Sequence, residues 1–295
     1  MFARLAAMSA ALFLSLVSVA AAPANAEPAS WRVTDGDTEM VLFGSVHMLP
    51  PHVEWRTDQM DAAIAQADLV AFEILTPGTE EEEEALYGPL MGYMFARQPL
   101  QDVVTPDTWT RLEAFLSERD IPAESFNQLR PWAAAMMLEL AVAEEAGSED
   151  DLGVDTVLEN SLAPGQRKEA LDTPALLLAT IQAMAAYGDS EAETMLSESL
   201  DWYEELDQQP DWSVEEAWAA GDVDSIASFV AEMKTEAPLL YETLMTDRNR
   251  AWMPALKRMM ETETRVVVIA GAAHMAGPDG LPALLRAAGY KVEGP

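Results

Sequence analysis

The sequence predicts an α/β fold with α+β character, in which a central sheet is built from βα units at the two ends of the chain and a large helical region lies between them. Three observations carry this expectation. Apolar, β-branched runs of strand length cluster near the termini, at 40–43, 69–74 and 265–270. Residues 80–263, by contrast, are rich in Ala, Leu, Met and Glu and are interrupted by Pro and Gly, the pattern of successive amphipathic helices. Finally, two of the three histidines close strand-like runs in the same frame, Gly44-Ser-Val-His47 and Gly271-Ala-Ala-His274. In α/β sheets the strand ends are where loops aim side chains into a crevice, so these paired Gly-x-x-His frames place both imidazoles at a functional edge.

Residues 1–26 read as a secretory leader. Arg4 supplies the positive charge, 5–20 is almost wholly apolar or small, and Ala24-Asn25-Ala26 offers a small-x-small site for cleavage after Ala26. The mature chain, 27–295, is expected to be one periplasmic or secreted domain with 80–263 as a helical insertion. No later stretch reaches the roughly twenty apolar residues of a spanning helix, so no membrane insertion is expected after cleavage. Trp31-Arg-Val-Thr34, Asp35-Gly-Asp37 and the run to Phe43 read as strand, tight turn and strand. Residues 56–67 keep Met60, Ala63, Ile64 and Ala67 on one helical face, and 69–74 is the next strand. A right-handed crossover makes that strand parallel to the one before His47 and brings Glu73 to the same edge.

Within the helical region, a short strand at 168–171 follows the Pro164-Gly165 turn. A helix over 244–260 feeds the 265–270 strand, and a helix at 281–288, a Gly289 cap and a strand at 290–293 complete the second βα unit. The glutamates at 80–84 and the run Ser148-Glu-Asp-Asp151 read as solvated helix starts or loops. The 17 methionines read as core filler.

Composition narrows the function. Acidic residues outnumber basic ones 51 to 17, and loss of Arg4 with the leader takes the formal charge from −34 to −35. Nucleic acid and anionic membrane surfaces are therefore poor partners, because phosphate binding rests on clustered Lys and Arg. The chain has no cysteine, which removes disulfides, thiolate nucleophiles and Cys-based zinc sites. Neither a Gly-x-Ser-x-Gly elbow nor a His-Glu-x-x-His helix is present, which argues against serine hydrolases and zincins.

What remains is imidazole and carboxylate. A site of His47, His274 and Glu73 has two modes: a divalent ion, of which Mn, Co or Zn suit these donors, or acid–base catalysis without metal. Glu73, a charge ending an apolar strand, reads equally as facing solvent or as aimed at the crevice. His52, after Pro50-Pro51, reads as a loop histidine. Arg248 reads either as an ordinary salt bridge or as a guanidinium that clamps a carboxylate or developing negative charge.

Taken in order, Leu42-Phe-Gly-Ser-Val-His47, the strand ending in Glu73, Arg130-Pro-Trp132-Ala-Ala, Gly153-Val-Asp155, Lys168-Glu-Ala-Leu-Asp-Thr173, Asp247-Arg-Asn249 and Gly271-Ala-Ala-His274 with Gly277 and Gly280 resemble the TraB/GumN family. The resemblance spans nearly the whole mature chain. That family is in turn similar to Tiki-type metal-dependent proteases and, more distantly, to erythromycin esterase-like and ChaN-like haem-binding proteins. The resemblance implies a hydrolase acting on a peptide or small-molecule substrate. His47, His274 and Glu73 would hold the ion, and Arg248 would stabilise an oxyanion or grip substrate. It leaves open a non-catalytic envelope protein that binds haem, a small ligand or a peptide. Two residues depart from the family pattern: Ser45 stands where threonine is usual, and Asp172 stands where glutamate is usual, keeping the carboxylate but shortening its reach by a methylene. The resemblance assigns no role to Asp155.

Overall fold

The computed structural model describes residues 27–145, 150–206, 214–236 and 238–295. The leader, Gly147, Ser148, Glu149 and Pro210, one of the prolines that interrupt the helical pattern, lie outside the described residues. Strands β1 (Ser30–Thr34) and β2 (Glu39–Ser45) form the antiparallel hairpin the sequence predicts. Its turn uses Gly36 at φ +116°, a conformation open to glycine alone without strain. Helix α1 (Asp58–Gln66) starts one residue after Thr57, whose side chain accepts from Met60 N, and leads to β3 (Leu69–Phe72).

The helical region follows as α2 (Glu80–Met94), α3 (Leu100–Val103), α4 (Pro106–Glu118), α5 (Pro131–Glu145) and α6 (Val154–Asn160). The short strand β4 (Lys168–Ala170) then intervenes. Beyond it come α7 (Pro174–Ala185), α8 (Asp189–Leu206), α9 (Val214–Ala219), α10 (Val223–Glu236) and α11 (Pro238–Tyr241). Threonines at 79, 105 and 173 cap α2, α4 and α7 by accepting from a backbone N–H three residues on, satisfying donors a helix start leaves free. The Glu80-to-Glu84 run forms the exposed first turns of α2, where negative charge suits the helix dipole.

The stretch expected as one helix from 244 divides. Glu242–Thr246 is a π-helical turn, and α12 (Asp247–Thr262) begins after it. Strand β5 (Arg265–Gly271), a 3₁₀ turn (Ala272–Met275), α13 (Leu281–Ala287) and β6 (Lys291–Glu293) finish the chain. His274 therefore stands in a tight turn just past its strand.

Among the described residues, six strands pair in the order β4-β3-β5-β2-β1-β6. β5 runs parallel to both β2 and β3 and separates them, so the strands of the first βα unit are parallel without being neighbours. Buried on both faces, β5 is a continuous Val-Val-Val-Ile run, whereas an edge strand would alternate. The period of two divides the core. Met40, Leu42, Leu69, Ala71, Val266, Val268 and Ala270 face Trp252, Leu256 and Met259 of α12 and Leu285 of α13. Phe43, Val70, Phe72, Val267 and Ile269 face the opposite way and merge with the core of the helical region.

That shared core generates a prediction. Residues 80–260 expressed alone lose the sheet surface their apolar side chains cover, and should give no cooperative thermal transition by circular dichroism. A sharp two-state melt from this fragment would show that the helical region folds by itself.

Candidate active site

The site is built where parallel strands run past their last ladder residues. Beyond β3, Glu73 N still donates to Ile269 O at 3.1 Å, and Glu73 O accepts from Asp172 N at 2.9 Å. The ladder thus sets Glu73 and Asp172 side by side. β2 and β5 end in register at Ser45 and Gly271, and His47 and His274 follow at the same edge. The two frames pack tightly: a Cβ on Gly44 would stand 3.0 Å from Ala272 Cα, so the first frame needs glycine there. Val154 N donates to Val46 O at 2.9 Å, which seats the first turn of α6 on the loop after β2 and carries Asp155 to His47.

The residues singled out in the sequence are brought together across the chain. His47 Nε2 lies 4.0 Å from Glu73 Oε2, and His274 Nε2 lies 3.8 Å from Glu73 Oε1. Arg248, in the first turn of α12, donates through Nη2 to Glu73 Oε1 and, at 2.5 Å, to Asp172 Oδ2. Trp252 Nε1 donates to Asp172 Oδ1 at 2.6 Å, and Gly271 N donates to Glu73 Oε2 at 3.0 Å. The shorter carboxylate at 172 therefore still reaches the arginine. Arg248 is 1% exposed, so it is no surface ion pair, and Glu73 points into the protein at the same 1%. His52 is exposed, as a loop residue.

Four residues joined to this cluster carried no assigned role in the sequence. Asp155 Oδ2 lies 2.7 Å from His47 Nδ1, and its Oδ1 accepts from Ser45 Oγ at 2.7 Å. Asn249 Oδ1 lies 2.7 Å from His274 Nδ1. The Trp252 ring packs against the His274 ring with centroids 4.6 Å apart. Their signal was adjacency: Asp155 ends the Gly153-Val-Asp155 motif, and Asn249 follows Arg248.

The electrostatics divide the imidazoles. Burial disfavours a charged His47, but the carboxylates of Asp155 and Glu73 outweigh it and raise its pKa to about 9. His274 is driven well below its ordinary value, first by burial and then by the charges of Arg248 and His47. Burial opposes ionisation of Asp155 too, yet His47 and Ser45 hold its pKa low. Asp172 is raised, chiefly by burial, with Glu73 adding to it and Arg248 opposing.

The residues can be tested for a cation. His47 Nε2 is buried and has no hydrogen-bond partner. A Cβ placed on Gly271 would stand 3.6 Å from His47 Nε2, 3.6 Å from Glu73 Oε2 and 3.5 Å from His274 Cδ2, so the missing side chain leaves a small cradle among the three. Both imidazoles have Nδ1 engaged and Nε2 turned towards Glu73, the arrangement metal-bound histidines adopt. Among the described residues, however, no group of three or more His, Asp or Glu side chains already stands in a metal-ligating arrangement. The side chain of His47 is 15% exposed against 1% for Glu73 and His274, so solvent approaches from the His47 side. A cavity of about 250 Å³ lined by Trp31, Trp218, Ile226, Met275 and Arg286 lies beside the frames, touching Gly44 and Ala272.

The opposed shifts give the chain a pH signature. The raised His47 pKa stabilises the fold fully below pH 6.5, and this contribution is lost as pH rises through about 9. The depressed His274 pKa contributes above pH 6.5 and is lost as pH falls below it. In chelator, melting temperature should fall on both sides of neutrality. The alkaline limb should carry up to about 3 kcal/mol, and His47→Gln should flatten it. An alkaline limb unchanged in His47→Gln would show that His47 does not bind its proton this tightly.

Comparison with known proteins identifies relatives of the chain and its family. Uncharacterized protein YbaP of Escherichia coli (strain K12) is 25% identical over 280 residues, covering 87% of this chain and 93% of its own. The YbaP protein of Shigella flexneri matches at the same identity and coverage. No solved structure matches the chain. The model of the TraB/PrgY/gumN family matches residues 29–294, from the first strand to the last and through every residue of the cluster, and the chain belongs to that family.

Proposed function

We propose that this protein is an exported hydrolase that acts on peptides in the periplasm or outside the cell, with a divalent ion, Mn, Co or Zn, held by His47, His274 and Glu73. The observation that carries the reading is that both imidazoles turn Nε2 towards one buried carboxylate, next to an open cradle, while Nδ1 of each is held from behind. Charge supports it. Glu73 and Asp172 share a single guanidinium while Asp155 faces His47, and a position that favours a proton on His47 favours other cations there.

When bound, such an ion would lower the pKa of a coordinated water towards neutrality. The chain's own groups supply the rest. Asp155 orients His47, Arg248 keeps one Glu73 oxygen neutralised, and the depressed pKa of His274 keeps its ring uncharged at neutral pH. The choice of peptide comes from the resemblance to Tiki-type proteases. Export comes from the leader, and no helix among the described residues is long and apolar enough to cross a membrane.

One observation favours a second reading, hydrolysis without metal. Arg248 already occupies Glu73 Oε1, and His47 with Asp155 forms a dyad that, once the raised His47 pKa is exceeded and the ring has released its proton, could take one from water. A haem-binding role draws less support, because His274 is 1% exposed and enclosed by Arg248, Asn249 and Trp252.

Metal content of the mature protein, thermal melts with chelator or with added Mn, Co or Zn, and cleavage of a peptide library separate these readings. The ion should raise the melting temperature at pH 7.5, less so towards pH 5.5 as the ligands protonate, and the double variant His47→Ala, His274→Ala should lose the increment. Peptide cleavage that persists in chelator and disappears in Asp155→Asn would favour the dyad. Cation stabilisation that survives the double variant would assign it to the acidic surface and sink the metal site.

A further inference from the structure

The two imidazoles are held from behind by different chemistry. His47 Nδ1 faces a carboxylate, which only accepts. His274 Nδ1 faces the side-chain amide of Asn249, which could present either its oxygen or its NH₂. The surroundings of Asn249 decide which. Its other end lies 2.9 Å from the backbone carbonyl of Asp279 and 3.4 Å from that of His274, and carbonyls can only accept. Nδ2 must face them, so Oδ1 must accept, and His274 Nδ1 must carry the hydrogen. In the neutral ring Nε2 is then bare. Arg248 Nη1, 3.4 Å from Nε2 and able only to donate, fits the same assignment.

The loop that supplies the deciding carbonyl is itself anchored. Asp279 Oδ2 accepts from Lys234 Nζ at 2.8 Å and from Tyr241 Oη at 3.0 Å, which ties the segment before α13 to α10 and α11. A chain of hydrogen bonds thus runs from the helical region through Asp279 and Asn249 to a ring at the centre of the site.

We infer that Asn249 is a positioning residue which, aligned by the Asp279 carbonyl, fixes His274 as its Nδ1-protonated tautomer and presents a bare Nε2 to Glu73 and Arg248. A bare Nε2 is what either a metal ligand or a proton acceptor requires. The purpose of this device rests on the proposed hydrolytic site, but its existence does not, and the test reads the ring directly.

The test is a long-range ¹H–¹⁵N correlation spectrum of the imidazoles in the ¹⁵N-labelled mature protein, in chelator and near neutral pH. With only three histidines, His52→Gln and His47→Gln assign the signals. His274 should show a protonated Nδ1 and a bare Nε2. In Asn249→Ala the Nε2-protonated form, which free histidine prefers, should gain population. A His274 protonated at Nε2 in the parent protein would overturn the inference. So would an unchanged tautomer in folded Asn249→Ala, since Arg248 would then set it alone. If that variant fails to fold, Asp279→Ala keeps Asn249 but releases the loop, and should mix the tautomers. A single, unaltered Nδ1-protonated signal in Asp279→Ala would remove Asp279 from the device. These outcomes stand whatever metal content or turnover proves to be.

Discussion

The buried guanidinium of Arg248 is the constraint around which the rest of the site is arranged. A cation withdrawn from water this completely is tolerated only where opposite charges meet it at hydrogen-bond distance, and two carboxylates do so here. Those carboxylates extend the ladders of β3 and β4, whereas the arginine opens α12 after a π-helical turn, a feature that often marks functional positions. One side chain thereby locks a helix to the sheet edge. Trp252, one turn further along α12, closes the arrangement by donating to the Asp172 oxygen that the arginine does not take.

Around that anchor the two imidazoles have been given unlike surroundings. His47 has carboxylates near it and some access to solvent. His274 has an amide at its back, an indole on its face and a guanidinium before it. The same residue type in the same four-residue frame thus becomes a ready cation on one side and a reluctant one on the other. Sites that perform proton chemistry at neutral pH commonly separate paired groups in this way.

The sequence made the sheet edge legible because its signals are local. A β-branched run, a glycine and a histidine in close succession state a strand and its end, and β2, β3 and β5 lie where those runs occur. The strand order was not legible. Nothing in the residues of β3 says that it pairs with β5 and not β2, since that choice depends on α12 and α13 covering one face together. Asp155 and Asn249 stood beside quoted motifs, but their partners were not legible, because a hydrogen-bond partner brought in by a helix start has no fixed spacing from its target. Asp172 shows the opposite error. Judged by side-chain length it falls short, yet its carboxylate still accepts from Arg248 at 2.5 Å.

The position of β5 bears on how the protein comes into being. β2 and β3 are made early, but the strand that joins them spans Arg265–Gly271, near the end of the chain. Until that segment is available, the two N-terminal strands have no common neighbour, and His47 and Glu73 have no glycine floor between them. Such distant pairing makes the sheet a late event in folding. A chain that emerges N-terminus first therefore carries half a site for most of its synthesis. The edge that carries His47, Glu73 and His274 is assembled only once the Arg265–Gly271 strand has paired with both β2 and β3.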